Sequence, residues 1–443
     1  MLDIKRDPLG SLFLYFILVI SSPLPIINNI FTNMVSVYCQ ERALVALFIL
    51  FIIIGCRRDD AVLIPDEVKA PPLEEKMYTV EAFKEVSIDV AIDGTYYGQN
   101  APDCMFNLSA NRKAYAHPDI HYFPNGFNGY QYWMVFTPYF GVVSSFSKPS
   151  AFENPTVVVS NDAVHWSTPM GLQNPLVKCP APEESFGGDP NDTNTQGYWS
   201  DVDIEYVNDR FYLFYRSSWV TAGGLKGRGA ASANNQLKLK GGNPQRAIVR
   251  QTSTDGVHWH PLEVCYTSAL PHSPPNNLLL SPTYLYDGKQ FVSYEVLNNN
   301  SSNYFPGDNL SYVLRRSSVD GLDFTTFQQS EFVNFDNEPW LKKNVAYAPW
   351  HIQACMIDGY YFMLINIGIV KSSKGEALYL AYSKDGVNFK VFDKSLEDRE
   401  AYRSCLFPIA HDKKEISLGM MIASTRGTFR YAKLKFLKEK MIN

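Results

Sequence analysis

The chain has 443 residues and a formal net charge of -5, and hydrophobic residues make up 46% of it. This length and composition support a large core, as one big domain or two smaller ones. Lysine and arginine are not concentrated in any segment, and phosphate binding needs a concentrated basic face, so we expect no nucleic-acid partner. None of the seven cysteines forms a CxxC pair or a Cys/His cluster with zinc spacing, which argues against a zinc finger.

The N-terminal region carries an apolar segment of the kind found in export signals. Residues 43–55 (ALVALFILFIIIG) are uncharged and end at Cys56, and this length suits a signal peptide better than a spanning helix. The sequence Ile-Ile-Gly-Cys resembles a bacterial lipobox, and the charged residues after it resemble the surface-export signal of Bacteroidetes lipoproteins. We therefore expect lipidation of Cys56 and a cell-envelope location, anchored to the outer membrane on its periplasmic or cell-surface face. The alternative is a simple membrane anchor that ends at an unmodified Cys56.

The segments on either side of this signal set the domain boundaries. A signal peptide over residues 34–56 has ordinary proportions, so we interpret residues 1–33 as a non-native upstream extension. The alternative is two membrane helices, for which both apolar runs are short. Residues 57–76 are rich in proline and acidic residues and lack apolar periodicity, which predicts a flexible tether. The folded domain then occupies residues 77–443.

From Tyr78 onward, short aromatic and β-branched runs alternate with turn residues. The clearest runs are YQYWMVF (130–136), RFYLFYR (210–216), KQFVSYEV (289–296) and GYYFMLI (359–365). Each run is preceded by another short run and followed by the phrase Ser-x-Asp-Gly-x-x-aromatic or a close variant, beginning at residues 160, 253, 318 and 383. Many short strands separated by Gly, Asn and Asp turns favour an all-β fold.

The repeated phrase predicts the architecture. Asp-Gly between two strands favours a tight hairpin, because the turn needs a positive φ that Gly adopts at little cost. Ser and Asp side chains can bond to nearby backbone amides, so we interpret the aspartates of the phrase as structural: Asp162, Asp255, Asp320 and Asp385. Four-stranded units at this period make a β-propeller. We predict a five-bladed β-propeller of four-stranded antiparallel blades, with a fifth blade over residues 402–443 and a closing strand from residues 78–98.

The inner strand of each blade lines the channel of a propeller, where ligands commonly bind. Aligned by their distance to the following aromatic strand, the inner strands place four functional residues at one level: Asp119, Asp203, Thr283 and His351. His121 and Glu205 come two positions after the aspartates and share their face by strand alternation. Buried carboxylates are costly unless they are paired or functional, so this polar axis indicates a site.

A five-bladed propeller with an inner-strand Asp in its first two blades resembles the superfamily of glycoside hydrolase families 43, 32, 68, 117 and 130. The resemblance covers residues 78–443 in architecture. It implies that Asp119 acts as base or nucleophile and that Asp203 orients and tunes the site, with Asp201 as a close competitor for the second position. These roles come from the resemblance and from the order of the blades.

The third family position, a general-acid glutamate on the third blade, is occupied by Thr283 in this sequence. The proton donor is therefore open between His351 and Glu295, with Glu338 as a further candidate. Glycoside cleavage needs an ionised carboxylate and a protonated acid ~5–5.5 Å apart for retention or ~6.5–9.5 Å apart for inversion. Neighbouring carboxylates at a narrow axis can separate their pKa values in this way.

Further side chains near these positions are candidates for substrate contact. Aromatic faces beside carboxylates suit sugar stacking, although packing between blades explains them equally well, and Arg216 could pair with an axial carboxylate or an acidic sugar. The predicted substrate contacts are His121, Trp199, Asp201, Glu205, Arg216, Thr283, Glu338 and Trp350. Two polar, Gly-rich stretches, residues 180–197 and 221–245, are typical of loops that cover a binding site.

The sequence therefore predicts a lipid-anchored enzyme that cleaves a glycosidic bond in an oligo- or polysaccharide by carboxylate acid/base chemistry. The alternative is a non-catalytic glycan-binding surface lipoprotein on the same fold, with Thr283 marking a lost acid. A propeller that only scaffolds protein contacts is disfavoured by the polar inner strands. We expect a monomer with a carbohydrate substrate and no required cofactor, while calcium or another cation in the central channel stays open.

Overall fold

The fold is taken from a computed structural model that describes residues 77–90, 104–106, 115–142, 151–153, 155–176, 199–220, 228, 231, 245–268, 279–297, 312–324, 331–340, 347–369, 375–398 and 400–441. The interpretations of residues 1–76, including lipidation of Cys56, lie outside these residues. In the part of the chain that is described, no helix has both the length and the apolar character needed to cross a membrane.

The described segments form strands and one short 3₁₀ turn. Three strands precede the first blade: β1 (Tyr78–Val80), β2 (Lys84–Glu85) and β3 (Ser87–Asp89). Blade 1 contains β4 (Cys104–Phe106), β5 (Tyr115–Phe127), β6 (Tyr130–Val142), β7 (Ala151–Glu153), β8 (Thr156–Ser160) and β9 (His165–Ser167). Blade 2 contains β10 (Trp199–Val207), β11 (Arg210–Val220), β12 (Gln245–Ser253) and β13 (Glu263–Thr267). Blade 3 contains β14 (Leu280–Tyr286), β15 (Phe291–Leu297), β16 (Tyr312–Ser318) and β17 (Glu331–Phe332).

The last two blades complete the ring. Blade 4 contains β18 (Asn334–Asp336), β19 (Tyr347–Ile357), β20 (Tyr360–Ile369), β21 (Gly375–Ser383) and β22 (Asn388–Val391). Blade 5 contains β23 (Cys405–His411), β24 (Glu415–Ala423) and β25 (Phe429–Leu437), followed by the 3₁₀ turn Lys438–Lys440. Inner to outer, blade 2 runs β10-β11-β12-β13, and the other blades repeat this order. The predicted all-β propeller of five antiparallel blades is confirmed, with additional parallel edge strands in blade 1 (β3 beside β9) and blade 4 (β18 beside β22).

The ring of blades closes through β1, which lies in the segment predicted to supply a closing strand. β1 pairs antiparallel with β25, with Tyr78 opposite Phe436 and Val80 opposite Leu434. The first strand of the domain is thus the outermost strand of the last blade. The Tyr78 ring packs against Phe436, with centroids 5.4 Å apart, and against Phe392 at 4.8 Å. This pairing ties the two ends of the domain together.

The repeated Ser-x-Asp-Gly phrase has the structural role that its residues predict. In each copy one Asp oxygen accepts two backbone N–H groups of the turn; in the second copy Asp255 Oδ1 accepts from Val257 and His258 at 2.8 and 2.7 Å. Gly256 has φ +77°, and a Cβ there would lie 2.2 Å from the ring of buried Trp133. The terminal aromatic residues Trp166, Phe324 and Phe389 are buried in hydrophobic clusters. The phrase therefore closes outer hairpins and packs blades together.

Each of the first four inner strands starts with a β-bulge. The pairing with the second strand shifts between Ala116 and Asp119 in blade 1, and the same irregularity recurs near the start of β10, β14 and β19. Three residues inside these bulges have positive φ: His117 (51°), Asp201 (57°) and Ser281 (48°). Non-glycine residues seldom adopt this conformation, and it is concentrated at functional sites. The bulges re-aim side chains at one end of the channel.

Candidate functional site

The first polar layer of the channel consists of side chains that bond to the backbone of the next blade. Asp119 Oδ2 accepts from Ile204 N at 2.7 Å, and Asp203 Oδ1 accepts from Tyr284 N at 3.0 Å. The two remaining links follow the same rule: Thr283 Oγ1 accepts from Ala354 N at 3.1 Å and Gln353 Oε1 accepts from Leu406 N at 2.7 Å. We call Asp119, Asp203, Thr283 and Gln353 the clamp layer, because each member joins two neighbouring blades.

The two aspartates of the clamp layer also accept hydrogen bonds from the other two side chains of the layer. Gln353 Nε2 donates to Asp119 Oδ1 at 2.9 Å, and the Thr283 hydroxyl donates to Asp203 Oδ2 at 2.7 Å. Burial raises the pKa of Asp119 to about 7, against the opposing effect of the Ile204 N–H and the Arg403 charge. Burial and the nearby charge of Asp119 raise the pKa of Asp203 well above its ordinary value. The layer is thus tightly hydrogen bonded, and the pKa values of both of its carboxyls lie above their ordinary range.

This hydrogen-bond pattern corrects the alignment made from the sequence. Gln353, rather than His351, occupies the level of Asp119 and Asp203, and Cys405 holds the fifth position because its successor, Leu406, takes the blade-5 bond. The sequence alignment of blade 4 was wrong by two residues. Side chains two residues apart lie on the same face of a strand, so the alternation of side chains along the strand could not reveal the error. His351 lies one level away, at the bulged end of the inner strands.

A second polar layer lies at that end. Its members stand two residues before the clamp positions in the five inner strands: His117, Asp201, Ser281, His351 and Arg403. All five are buried, with at most 3% of the surface of any of them exposed. We call this the bulge layer. It contains both ionic groups and side chains with unused hydrogen-bonding atoms, which is unusual in a buried position.

Three members of the bulge layer converge on one point. His117 Nε2 lies 3.5 Å from Asp201 Oδ1, and His351 Nδ1 lies 3.8 Å from the same oxygen. One donor atom from each of the three residues lies within 4.8 Å of the others. His117 Nε2, Asp201 Oδ1 and both ring nitrogens of His351 are buried without a hydrogen-bond partner among the described residues. We call His117, Asp201 and His351 the triad.

Glu153 and Thr137 set the orientation of the His117 ring through its Nδ1 atom, on the side away from Asp201. Its Nδ1 lies 2.9 Å from Glu153 Oε2 and 2.8 Å from Thr137 Oγ1, and the Thr137 hydroxyl lies 3.1 Å from the same Glu153 oxygen. Glu153 is 6% exposed, so its carboxylate is held in the interior by these contacts. A carboxylate that accepts the Nδ1 proton leaves a lone pair on Nε2, facing Asp201 and His351. This carboxylate–imidazole arrangement commonly orients histidine ligands of metals.

Arginines surround the carboxylate of the triad. Arg216 Nε lies 2.9 Å from Asp201 Oδ2, which agrees with the predicted pairing of Arg216 with an axial carboxylate. Arg403 is fully buried; its Nη2 donates to Pro282 O at 2.8 Å, and its Nη1 lies 3.9 Å from Asp201 Oδ1. Burial alone would raise the pKa of Asp201, but Arg216 and the neighbouring imidazoles hold it below its ordinary value. Burial lowers the pKa of His351 well below its usual range, so its imidazole is neutral.

The triad fits a divalent cation. Two imidazoles and one carboxylate are a donor set that transition metals such as zinc accept, with further coordination positions left for water or substrate. The unpartnered atoms of all three residues point to the same place, and a buried polar atom without a partner is otherwise costly. The sequence left a channel cation open, and this donor set lies at one end of the channel.

The remaining predicted residues lie in several environments. Glu295 is fully buried between blades 2 and 3, where Arg316 donates to it through Nε at 3.2 Å and Nη2 at 3.0 Å, and the Tyr266 hydroxyl donates at 3.2 Å. It is therefore not brought to the triad. Glu338 follows β18 at the edge of blade 4, and burial raises its pKa.

Aromatic and polar neighbours of the channel separate into two groups. The Trp350 ring packs edge-on against His351 with centroids 5.6 Å apart, so it lies beside the triad. Trp199 packs against Tyr215 in the hydrophobic cluster shared by blades 1 and 2. His121 and Glu205 lie on the far side of the clamp layer, where the His121 ring contacts Tyr206 and burial and Asp119 raise the pKa of Glu205. Of the predicted site residues, the structure thus brings together the proposed proton donor His351 and the proposed contacts Asp201, Arg216 and Trp350.

Sequence reasoning missed His117, Glu153 and Arg403. His117 was visible in the HPDIH stretch, two residues before Asp119, just as Asp201 precedes Asp203. The amide that bonds to each clamp residue belongs to Ile204, Tyr284, Ala354 or Leu406. An alignment of the inner strands on these four residues would have placed His351 and Arg403 at the same level as Asp201. Glu153 lies on the short strand β7, and its distance from His117 along the chain gives no sequence signal for the contact.

Comparisons with known proteins agree with the propeller fold. No protein-family model matches the chain. A curated relative, the A type blood N-acetyl-alpha-D-galactosamine deacetylase of Flavonifractor plautii, is 26% identical over 328 residues, which cover 66% of this chain and 37% of the relative. The chain thus spans little more than a third of that protein's length.

Solved structures give the same picture for the fold. The crystal structure of an N-acetylgalactosamine deacetylase from F. plautii, in complex with blood group B trisaccharide, has a TM-score of 0.50 and 21% identity and covers 73% of this chain and 90% of that one. A thermostable family-43 glycoside hydrolase has a TM-score of 0.44 and 10% identity, covering 72% and 88%. The first of these likenesses supports the propeller fold that the sequence predicts.

Proposed function

We propose that this protein is a carbohydrate-active hydrolase that depends on a divalent metal and removes the acetyl group from an N-acetylated sugar of a glycan. The observation that carries the proposal is the buried triad His117, Asp201 and His351, whose unpartnered atoms converge on one point. The similarity to a deacetylase over most of the propeller supports the choice of substrate class. A hydrolase that cleaves an amide needs a polarised carbonyl and stabilised negative charge, and both needs match this site.

The residues of the site have distinct tasks in this proposal. His117, Asp201 and His351 would hold the metal, which when bound supplies Lewis-acid polarisation of the acetamide carbonyl and of water. Glu153 keeps the His117 proton on Nδ1, so that Nε2 stays a ligand. Arg403 places a buried positive charge at the site, where it can stabilise negative charge that develops on the carbonyl oxygen. Trp350 and the surrounding blades limit the access of bulk water.

Glycoside cleavage is the second candidate, and a specific observation favours it. Asp119, Asp203 and Glu205 have raised pKa values, so carboxyls that can donate a proton lie along the axis. Carboxyls in different protonation states are what acid/base cleavage of a glycosidic bond needs. Against this, both oxygens of Asp119 and of Asp203 already accept hydrogen bonds within the clamp layer. The bulge layer has the free atoms, so we place acetamide hydrolysis first.

Product analysis tests the two chemistries together. The full chain is incubated with a panel of glycans that includes α-linked N-acetylgalactosamine, and both free acetate and new reducing ends are measured. The metal content of the purified protein is measured separately by mass spectrometry, before and after chelation and after addition of zinc, manganese, nickel or calcium. We expect acetate release, about one metal ion per chain, and loss of both in Asp201→Asn and His351→Gln. His258→Gln changes an exposed histidine and is the matched control.

Other outcomes identify the alternatives. New reducing ends without acetate would assign glycoside cleavage and refute deacetylation. Neither product, together with retained binding of one glycan, would assign the non-catalytic glycan-binding role. A protein that releases acetate with no bound metal, and keeps this activity after chelation, would refute the role of the triad while leaving the substrate class intact.

We further propose that the protein acts as a monomer, anchored by lipid on Cys56 to the outer membrane on its periplasmic or cell-surface face. The lipobox-like sequence and the following charged residues support the anchor. Expression with labelled fatty acid tests it: label should enter the native chain and be absent from Cys56→Ala. Light scattering of the detergent-free protein, released by protease, tests the monomer. Unlabelled native chain would refute the anchor.

A further inference from the structure

A second concave site lies on the outer part of blade 2. It has a volume of about 540 Å³, and its walls come from the start of β11, from β12, from the turn before β13 and from Arg228. Arg216 stands next to the triad, and Arg210 lies six residues earlier on the same strand. At ~3.3 Å per residue this separates the two sites by roughly 20 Å. The pocket is therefore distinct from the triad, and we call it the blade-2 pocket.

The blade-2 pocket is rich in positive charge. Arg210, Arg228 and Arg250 line it together with His260, and Glu263 is the carboxylate in its wall. Glu263 is shared, since Arg250 Nε lies 2.7 Å from one oxygen and Arg228 Nη1 lies 3.3 Å from the other. Among the described residues, Arg210 has neither an ion-pair nor a hydrogen-bond partner for its side chain. Three guanidinium groups facing one carboxylate leave an excess of positive charge.

Contacts outside the cavity hold the charged groups in place. Arg250 is 5% exposed; its guanidinium also donates to the backbone oxygen of Asp320 and lies 5.5 Å from the centre of the Tyr212 ring. Arg228 belongs to the long Gly-rich stretch that the sequence predicted to cover a binding site, and its backbone oxygen accepts from Val264 N at 2.8 Å. The pocket is thus preorganised, and preorganisation lowers the cost of binding a ligand.

We propose that the blade-2 pocket binds an anionic group of a carbohydrate, either the carboxylate of a uronic acid or a sulfate ester. A guanidinium presents its donors in a planar fork that matches the oxygens of these groups. The half-buried Tyr212 ring offers a face for a sugar, and the volume lies in the range of small-ligand pockets. The concave shape suits a compact anion better than a flat membrane surface. The site would hold a charged glycan at a point remote from the reaction.

Binding is measured directly, without turnover, so its result is independent of the proposed function. The full chain is titrated calorimetrically at low ionic strength with three probes of similar size: a galacturonic acid trisaccharide, a sulfated chondroitin disaccharide and neutral galactotriose. We expect the anionic probes to bind and the neutral probe to bind at least tenfold more weakly. Arg210→Gln and Arg228→Gln should each weaken binding about tenfold, the loss of one hydrogen-bonded charge. Which anionic probe binds more tightly distinguishes carboxylate from sulfate.

Controls separate specific binding from general surface charge. Lys435→Gln removes an exposed cation from β25 on blade 5 and should leave the affinity unchanged. Arg210→Gln should also keep the melting temperature, which shows that weaker binding does not come from a loss of the fold. The proposal is overturned if the neutral probe binds as tightly as the anionic ones, if the two arginine variants bind normally, or if Lys435→Gln weakens binding equally.

Discussion

The two polar layers of the channel should respond differently to the same chemical change. Asp203, in the clamp layer, accepts from Tyr284 N at 3.0 Å and from the Thr283 hydroxyl at 2.7 Å, and lies 3.4 Å from Arg403 Nη2. In Asp203→Asn one oxygen becomes an NH₂ group, which cannot accept from Thr283 or Arg403. Losing two such buried contacts, at about 1–3 kcal/mol each, gives a loss of about 2–6 kcal/mol. The melting temperature should then fall by about 4 °C or more.

Asp201→Asn, in the bulge layer, should instead change metal binding. Among the described residues, Asp201 Oδ1 has no hydrogen-bond partner, while Oδ2 lies 2.9 Å from Arg216 Nε and accepts from Ser281 N at 3.4 Å. Asn also leaves Arg216 and the buried Arg403 without the carboxylate that faces them, and removing one partner of a buried ion pair costs about 3–5 kcal/mol. The amide also removes the negative charge from the triad, so bound metal should fall from about one ion per chain to a small fraction of that.

The assay for both variants is thermal unfolding monitored by circular dichroism, combined with metal analysis and acetate release. Both variants should be less stable than the native protein, and metal binding separates them: Asp203→Asn should still bind metal and Asp201→Asn should not. The opposite pattern would refute the reasoning. A stable Asp203→Asn without activity, beside an active Asp201→Asn, would mean that the clamp layer is catalytic, as the glycoside hydrolase resemblance implies.

Three other predictions concern the supports of the site and of the ring. Glu153→Gln should lower metal affinity about 10–100-fold with the fold retained, measured by competition with a chelating dye, because the amide holds His117 Nδ1 less firmly; unchanged affinity would contradict this role. Gly256→Ala should lower stability by about 2–5 kcal/mol, the sum of positive φ and overlap with Trp133, whereas Gly359→Ala, with φ +75° and open space, should lose only the conformational part. Tyr78→Ala should cost about 2 kcal/mol and loosen ring closure, seen as faster hydrogen exchange in β25; equal exchange rates would argue against closure through this strand.

The fold was predictable from the sequence because its signals are local. The Ser-x-Asp-Gly phrase specifies a turn within seven residues, and its Asp255 oxygen bonds are made inside that turn. Repeating a local unit at regular spacing then leaves few architectures. The closing strand was predicted within residues 78–98, and the structure divides that segment between two blades: β1 pairs with β25 in blade 5 and β3 pairs with β9 in blade 1.

The site was only partly predictable because it depends on register. Asp201, His351, Arg216 and Trp350 were all named from the sequence, yet their grouping was wrong, because His351 was aligned with Asp119. The bulges at the start of the first four inner strands each add one residue without a fixed sequence mark, and in blade 5 the register shifts later, between Pro408 and Ala410. Contacts across the channel, such as Gln353 with Asp119, are set by the relative height of blades and have no local signature.

The same register explains how a structural axis and a reactive site coexist in one channel. The oxygens of clamp residues such as Asp119 accept hydrogen bonds from the backbone of the next blade. These bonds fix the side chains and set the position of each inner strand relative to the next along the channel. Two residues earlier, inside the bulge, Asp201 makes only a longer bond of this kind, from Ser281 N to Oδ2 at 3.4 Å. Asp201 Oδ1 and His117 Nε2 face inward without a hydrogen-bond partner among the described residues. The hydrogen bonds between the clamp layer and the backbone therefore position the triad atoms that have no hydrogen-bond partner among the described residues. The aspartates that a sequence alignment identifies, Asp119 and Asp203, therefore belong to the clamp layer and hold the blades together. The residues available for chemistry lie in the bulge layer.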